Sequence, residues 1–164
     1  MLTIRPATPA DVTAIFNLIT QLAVYEKLEH MVTGTPQMLH ESLFGTRPAC
    51  ECVMAIENDA PVGFALYFTT YSTFLAQPGL YLEDLFVIPI ARGRGYGKAL
   101  IVHLAGLAKT RNCGRFEWRV LDWNKPSIDF YKSLGAQILP EWHLVRLTSD
   151  EIATLLETSL DPKG

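Results

Sequence analysis

Two stretches of this chain carry residue types whose spacing suits chemistry better than packing. The first is Glu83-Asp84, a pair of acids inside the apolar run Leu80 to Ile88. A carboxylate is costly to bury unless it is paired, hydrogen-bonded or used, so each is a candidate for moving a proton or holding a cation. Strict strand alternation places the two on opposite faces. The second stretch is Arg92-Gly93-Arg94-Gly95-Tyr96-Gly97-Lys98. Between a strand and a helix, such glycines let backbone N–H groups turn inward around an anion, with phosphate the natural guest. No Ser or Thr follows Gly97-Lys98 and the glycines are spaced G-x-G-x-G, which excludes the P-loop and dinucleotide fingerprints. Read alone, the loop also fits a glycine turn with incidental arginines.

The elements that must position these residues follow from punctuation and periodicity. Residues 2 to 5 read as a short strand, and Thr8-Pro9-Ala10-Asp11 supplies a capping box with proline at the first helical position. Val12, Ile15, Phe16, Ile19, Leu22 and Ala23 then make one apolar helix face through about residue 24. Thr35-Pro36 starts a shorter helix that Gly45 ends. Glu51 to Glu57 and Val62 to Thr70 read as antiparallel strands joined by the turn residues Asn58-Asp59-Ala60-Pro61. The strand Leu80 to Ile88, the glycine loop and a helix bearing Leu100, Leu104, Leu107 and Ala108 form one strand, loop and helix unit. Arg115 to Leu121 reads as another strand, Pro126 to Leu134 as a helix with Gly135 at its C-terminal end, and Leu139 to Leu147 as a last strand. Thr148-Ser149-Asp150-Glu151 caps a final helix that ends in a polar tail. Helices flanking a mixed sheet bury all these faces, so the expected class is α/β, or α+β on a stricter definition, in a single domain over residues 1–164.

Composition narrows the function. With 164 residues, 49% of them apolar, the chain can bury one hydrophobic core. A formal net charge of -3 argues against a nucleic-acid partner, which needs a clustered basic surface. No apolar run approaches the roughly 20 residues that cross a bilayer, and the start lacks the order of a secretory signal, so a membrane is not expected. Cys50, Cys52 and Cys113 follow neither a disulfide framework nor a metal spacing, and His30, His40, His103 and His143 are scattered. No metal is expected, and a reducing, cytoplasmic setting fits. Trp118 and Trp142 read as core residues rather than cofactor contacts.

Together, Tyr81-Leu82-Glu83-Asp84-Leu85-Phe86-Val87, the R-x-x-G-x-G at Arg92, Gly95 and Gly97, and the segment Trp123-Asn124-Lys125-Pro126-Ser127 through Tyr131 to Ala136 resemble the GNAT acetyltransferase superfamily. Ile4-Arg5-Pro6-Ala7, Tyr25-Glu26 and Glu141-Trp142 are similar to its diamine acetyltransferase branch, and Val120 to Asn124 to the thialysine N-acetyltransferase members. The resemblance implies a mostly antiparallel mixed sheet splayed between Leu80 to Ile88 and Arg115 to Leu121, with acetyl-coenzyme A in the gap. Leu85, Phe86 and Val87 would bind its pantetheine through their backbone, Arg92, Gly93, Arg94, Gly95, Tyr96, Gly97 and Lys98 its pyrophosphate, and Asn124, Lys125, Pro126, Ser127 and Tyr131 its other side. A homodimer is also implied.

The implied reaction moves an acetyl group to a primary amine of a small molecule. Such an amine, with a pKa near ~10.4, is protonated at pH 7, and removing the proton costs about 4.6 kcal/mol. By resemblance Glu83 is the base, acting through water, with Asp84 as substrate-side support, and Tyr131 protonates the leaving thiolate, a transfer uphill by only roughly 2 kcal/mol. Tyr25, Glu26, Glu141 and Trp142 would meet the amine. Pro140 occupies a slot where polyamine enzymes carry an acid, and Ser72 to Phe74 lacks another, which favours small amines or thialysine-like amino acids. The alternatives are a protein or peptide N-acetyltransferase and a non-catalytic coenzyme A sensor.

Overall fold

The computed structural model describes residues 1–159, which divide after Arg119 into two units. The polar tail expected after the last helix, residues 160–164, lies outside the described residues.

The first unit is a five-stranded sheet in the order β1-β2-β3-β4-β5, formed by Leu2–Pro6, Glu51–Glu57, Ala60–Ser72, Gln77–Val87 and Arg115–Trp118. All neighbours pair antiparallel except β4 and β5, which are parallel. Asn58 and Asp59 both take positive φ, 49° and 63°, the geometry that a tight β2–β3 turn demands and that Asn and Asp tolerate. The mixed, mostly antiparallel sheet flanked by helices is the expected class.

Helix α1 spans Val12–Glu26 and α2 spans Pro36–Phe44. Ile15 and Leu18 of α1 and Leu43 of α2 are buried in one cluster with Cys52, Met54, Phe64, Leu66 and Phe86, which defines one face of the sheet. Each such aliphatic side chain removed from water contributes roughly 1.5–3 kcal/mol. Thr35 caps α2 by accepting from Met38 N–H at 3.2 Å. Gly45 follows α2 because a Cβ there would stand 2.5 Å from the Glu41 carbonyl oxygen, not because its φ of -69° is unusual. The Thr8–Asp11 box forms, and Asp11 also takes two bonds of 2.7 and 2.8 Å from the Arg5 guanidinium, which holds its carboxyl well below the usual range. Pro9–Asp11 is a 3-10 turn, so the α-helix proper starts three residues later than the proline signal suggests.

Helix α3, Tyr96–Thr110, covers the other face, burying Leu100, Ile101, Leu104 and Ala108. Its end is tied to the sheet by Arg111, which donates to both Glu51 oxygens at 2.6 and 2.7 Å.

In the second unit α4 spans Lys125–Ser133 and α5 spans Ser149–Ser159. Thr148 and Glu151 form the expected capping box, with Glu151 accepting from Thr148 N–H at 2.6 Å. Gly135, at φ 90°, follows α4 in the left-handed region.

Three strand expectations are corrected. Leu139 to Leu147 is not a strand: Pro140 offers no N–H to a ladder, and the chain turns there, with Trp142 N–H on the Leu139 carbonyl at 3.3 Å. The strand expected from Arg115 to Leu121 ends at Trp118. β4 begins at Gln77, earlier than its apolar run, because its antiparallel partner β3 extends to Ser72.

Candidate functional site

The site is built on a break in the middle of the sheet. β4 and β5 pair only from Gly79↔Arg115 to Leu82↔Trp118. Beyond Leu82, β4 continues to Val87 with β3 on one side and no strand on the other among the described residues. Ile88 N–H bonds to the Val62 carbonyl at 3.0 Å, which fixes the alternation: Phe86 faces β3, while the N–H and C=O groups of Leu85 and Val87 turn to the open side. Of the backbone expected to meet a pantetheine, Leu85 and Val87 are therefore aimed at the gap and Phe86 is not.

The break coincides with a bulge. Tyr67 pairs with Leu82 and Leu66 with Asp84, which leaves Glu83 without a partner on β3. Phe68 and Leu66 share a face of β3, so their partners Tyr81 and Asp84 share a face of β4 although they are three residues apart. Arg119 stands 3.6 Å from a Glu83 oxygen and 5.6 Å from the Tyr81 ring centroid, which puts Glu83 on that side too. The expectation that Glu83 and Asp84 point to opposite faces is thus corrected: the extra residue absorbs the odd step and both carboxylates serve one face.

That face is the one covered by α1. Tyr25 and Glu26 lie in the last turn of α1, which Lys27 ends in the left-handed region at φ 61°. Burial pushes the Asp84 carboxyl up to about 6, with the negative charges of Glu83 and Glu26 adding to the shift and Arg119 opposing it. Burial also raises Glu26. Of the charges acting on Asp84, two are acids, Glu83 and Glu26, and one is a cation, Arg119, and the surplus negative charge suits a guest carrying an ammonium group.

The glycine loop lies beyond β4. Gly93 and Gly95 take left-handed φ values of 76° and 81°, and a Cβ at either position would meet nothing, so the requirement is backbone conformation rather than space. Ala99 N–H is the first to close the α3 ladder, on the Gly95 carbonyl at 2.9 Å, which leaves Tyr96, Gly97 and Lys98 N–H groups at the positive helix end. Two arginines of the loop are engaged elsewhere. Arg94 pairs with Glu57 at 3.0 Å, and the Tyr96 hydroxyl donates to the same carboxylate. Arg92 donates from Nε to the Val87 carbonyl at 2.9 Å. The anion-binding capacity of the loop is chiefly backbone, and a pantetheine-linked pyrophosphate fits both it and the open β4 edge.

In the second unit, Asn124 is buried and its side chain caps α4 by accepting from Ser127 N–H at 3.3 Å. Pro126 lies in the first turn and Lys125 pairs with Asp129 at 2.7 Å. Tyr131 is buried, its ring 5.3 Å from that of Phe130. Glu141 is exposed and Trp142 is 73% exposed, which overturns the reading of Trp142 as a core residue.

Sequence reasoning missed Glu57 and Arg119. Glu57 is simply the last residue of a strand and Arg119 follows one, and no local signal marks either. Among the described residues no cluster of ligands suits a metal and no helix is long and apolar enough to cross a membrane.

Residues 15–136 match the Acetyltransferase (GNAT) family. The thialysine N-epsilon-acetyltransferase of Sus scrofa is 37% identical over 163 residues, covering 93% of this chain and 95% of that protein. The L-ornithine N5-acetyltransferase of Arabidopsis thaliana is 34% identical over 197 residues, covering 93% and 86%. Among solved structures, an integron cassette protein from the mobile metagenome of V. cholerae superposes with a TM-score of 0.80 at 28% identity, covering 95% of this chain and 98% of that one.

Proposed function

This chain belongs to the GNAT acetyltransferase family, and from that membership we propose that it acetylates the primary amine of a small cationic molecule, an amino acid of the thialysine or ornithine kind or a diamine. The observation that carries the reading is the grouping of Glu26, Glu83 and Asp84 on one face of a strand whose hydrogen-bonding edge is open from Leu85 to Val87. A cation is drawn to the first feature and an extended, amide-bearing acyl carrier to the second.

The carrier supplies an activated acetyl thioester. Leu85 and Val87 offer N–H donors on the open edge, and the loop from Gly93 to Lys98 offers N–H donors to the pyrophosphate. Arg92 and Arg94 are less direct contributors than their position in the loop suggests, since Val87 and Glu57 hold them. Asn124, Lys125, Pro126 and Ser127 belong to the carrier's site by resemblance.

The amine must lose a proton before its nitrogen bonds to the acetyl carbon and the C–S bond breaks. Glu83 and Asp84 act together as acceptor through water. Asp84, with its pKa raised to about 6, is suited to accept a proton near neutral pH. Tyr131 returns a proton to the departing sulfur. Tyr25 and Glu26 hold the substrate's cationic body, with Glu141 and Trp142 as further contacts. A single catalytic domain over residues 1–164 is supported by a family match that runs across the boundary after Arg119. A homodimer and a cytoplasmic setting complete the reading.

The test is thiol release from acetyl-coenzyme A against thialysine, ornithine, lysine, diamines, polyamines and peptides. Turnover highest on the small amino acids and diamines supports the reading. Turnover on peptides alone would move it to a protein N-acetyltransferase, and binding without release would leave a sensor.

A further inference from the structure

Arg92 opens the glycine loop, yet its side chain turns back from the loop toward α1. The guanidinium carbon stands 4.6 Å from the Tyr25 ring centroid and 5.4 Å from that of Phe86, while Nε donates to the Val87 carbonyl at 2.9 Å. The contact therefore joins three elements: the last turn of α1, the end of β4 and the start of the loop. A planar guanidinium suits this use, because it can lie on ring faces and donate in its own plane at once.

Tyr25 precedes Glu26 in the same final turn, so holding the tyrosine ring also holds the backbone that carries the glutamate. Glu26 in turn is close enough to Asp84 for its charge to be felt there. We propose that Arg92 is a positioning residue of the amine site: by stacking on Tyr25 while gripping the Val87 carbonyl, it pins the end of α1 to the end of β4 and sets where Glu26 stands relative to Asp84. This inference rests on the reading of Tyr25, Glu26 and Asp84 as the amine-binding group. It gives Arg92 a different task from the pyrophosphate contact that its place in the loop implies, and the two tasks separate experimentally, since one acts on the amine and the other on the acyl carrier.

The experiment compares the unaltered protein with Arg92→Met, which keeps the stem but removes the donors and charge, and with Arg92→Lys, which keeps a cation without the planar fork. Steady-state thiol release on thialysine gives KM and kcat for the amine, and calorimetry gives the affinity for coenzyme A. Arg92→Met is expected to raise the amine KM about tenfold with kcat changed less than about twofold, and to change coenzyme A affinity by a smaller factor, since the Val87 carbonyl that Arg92 holds lies on the carrier's edge, with Arg92→Lys between the two. Tyr25→Leu should raise the amine KM by a similar factor, and the double variant should add little to either single change. An unchanged amine KM in an active Arg92→Met protein, a loss confined to coenzyme A affinity, or full additivity with Tyr25→Leu overturns the proposal. If Arg92→Met does not fold, the same comparison is made with Arg92→Lys and Tyr25→Leu. No turnover by the unaltered protein on any amine removes the amine-site reading and this inference with it, an outcome distinct from an active variant with unaltered KM.

Discussion

Asp84 lies directly across the ladder from Leu66, and Leu66 directly across from Cys52, so a carboxylate completes a row of side chains on the apolar, α1-covered face of the sheet. The bulge at Glu83 creates this placement by shifting the strand one residue out of step. Several consequences can be measured.

The rate should report the ionisation of Asp84. Only its ionised form can accept a proton, so kcat/KM, which reports the free protein, is expected to fall as pH drops through about 6. Asp84→Asn should remove that inflection and lower kcat by on the order of 10². A profile with the same inflection in the variant would assign it to another group.

Stability should move the opposite way. The folded-state pKa of Asp84, about 6, lies above the ordinary 3.8, so its contribution is most favourable below about 4 and is lost as pH rises through about 6. Asp84→Asn is expected to stabilise the fold at pH 7 by on the order of 1 kcal/mol and to have little effect near pH 4. Thermal melts at the two pH values check the sign.

Tyr131→Phe keeps a buried ring and removes the hydroxyl. Turnover is expected to fall on the order of 10² with the melting temperature within a few degrees of the parent. Unchanged turnover would remove Tyr131 from the chemistry.

Glu57 holds both Arg94 and Tyr96 at the start of α3. Glu57→Ala frees these side chains and removes an acid beside the anion loop, and the expected result is tighter binding of coenzyme A, about three- to tenfold, with the amine KM unchanged. Exposed ion pairs contribute little to stability, so the effect should be read in affinity rather than in the melt.

Gly63 sits where a Cβ would stand 2.6 Å from the Phe86 carbonyl oxygen. Gly63→Ala must push β3 and β4 apart beside the open edge, costing about 1–3 kcal/mol and lowering coenzyme A affinity. Calorimetry and a denaturant titration on one preparation test both effects.

Much of this architecture could be read in the chain because its signals are local. Thr8-Pro9 and Thr35-Pro36 announced helices, Asn58-Asp59 a turn, and the run before Pro89 a strand ahead of a glycine loop. What could not be read depends on pairing between distant residues. The bulge at Glu83 exists only because Leu66 and Tyr67 oppose Asp84 and Leu82, and period-two reasoning placed the acids on opposite faces for want of that register. The engagement of Arg92 by Tyr25 spans 67 positions and leaves no trace in either neighbourhood. Leu139 to Leu147 shows the converse, since an apolar run with β-like composition stays irregular where proline interrupts the ladder.

Among the described residues, the short β5 leaves the Leu85 amide groups and the Val87 N–H without a strand partner on that side of β4, the Val87 carbonyl being taken by Arg92. On the proposed reading, a pantetheine arm, itself a chain of amides, would dock there as a temporary strand. Its arrival should slow amide hydrogen exchange along β4, and its departure should restore it, so that each catalytic cycle completes and then reopens the sheet.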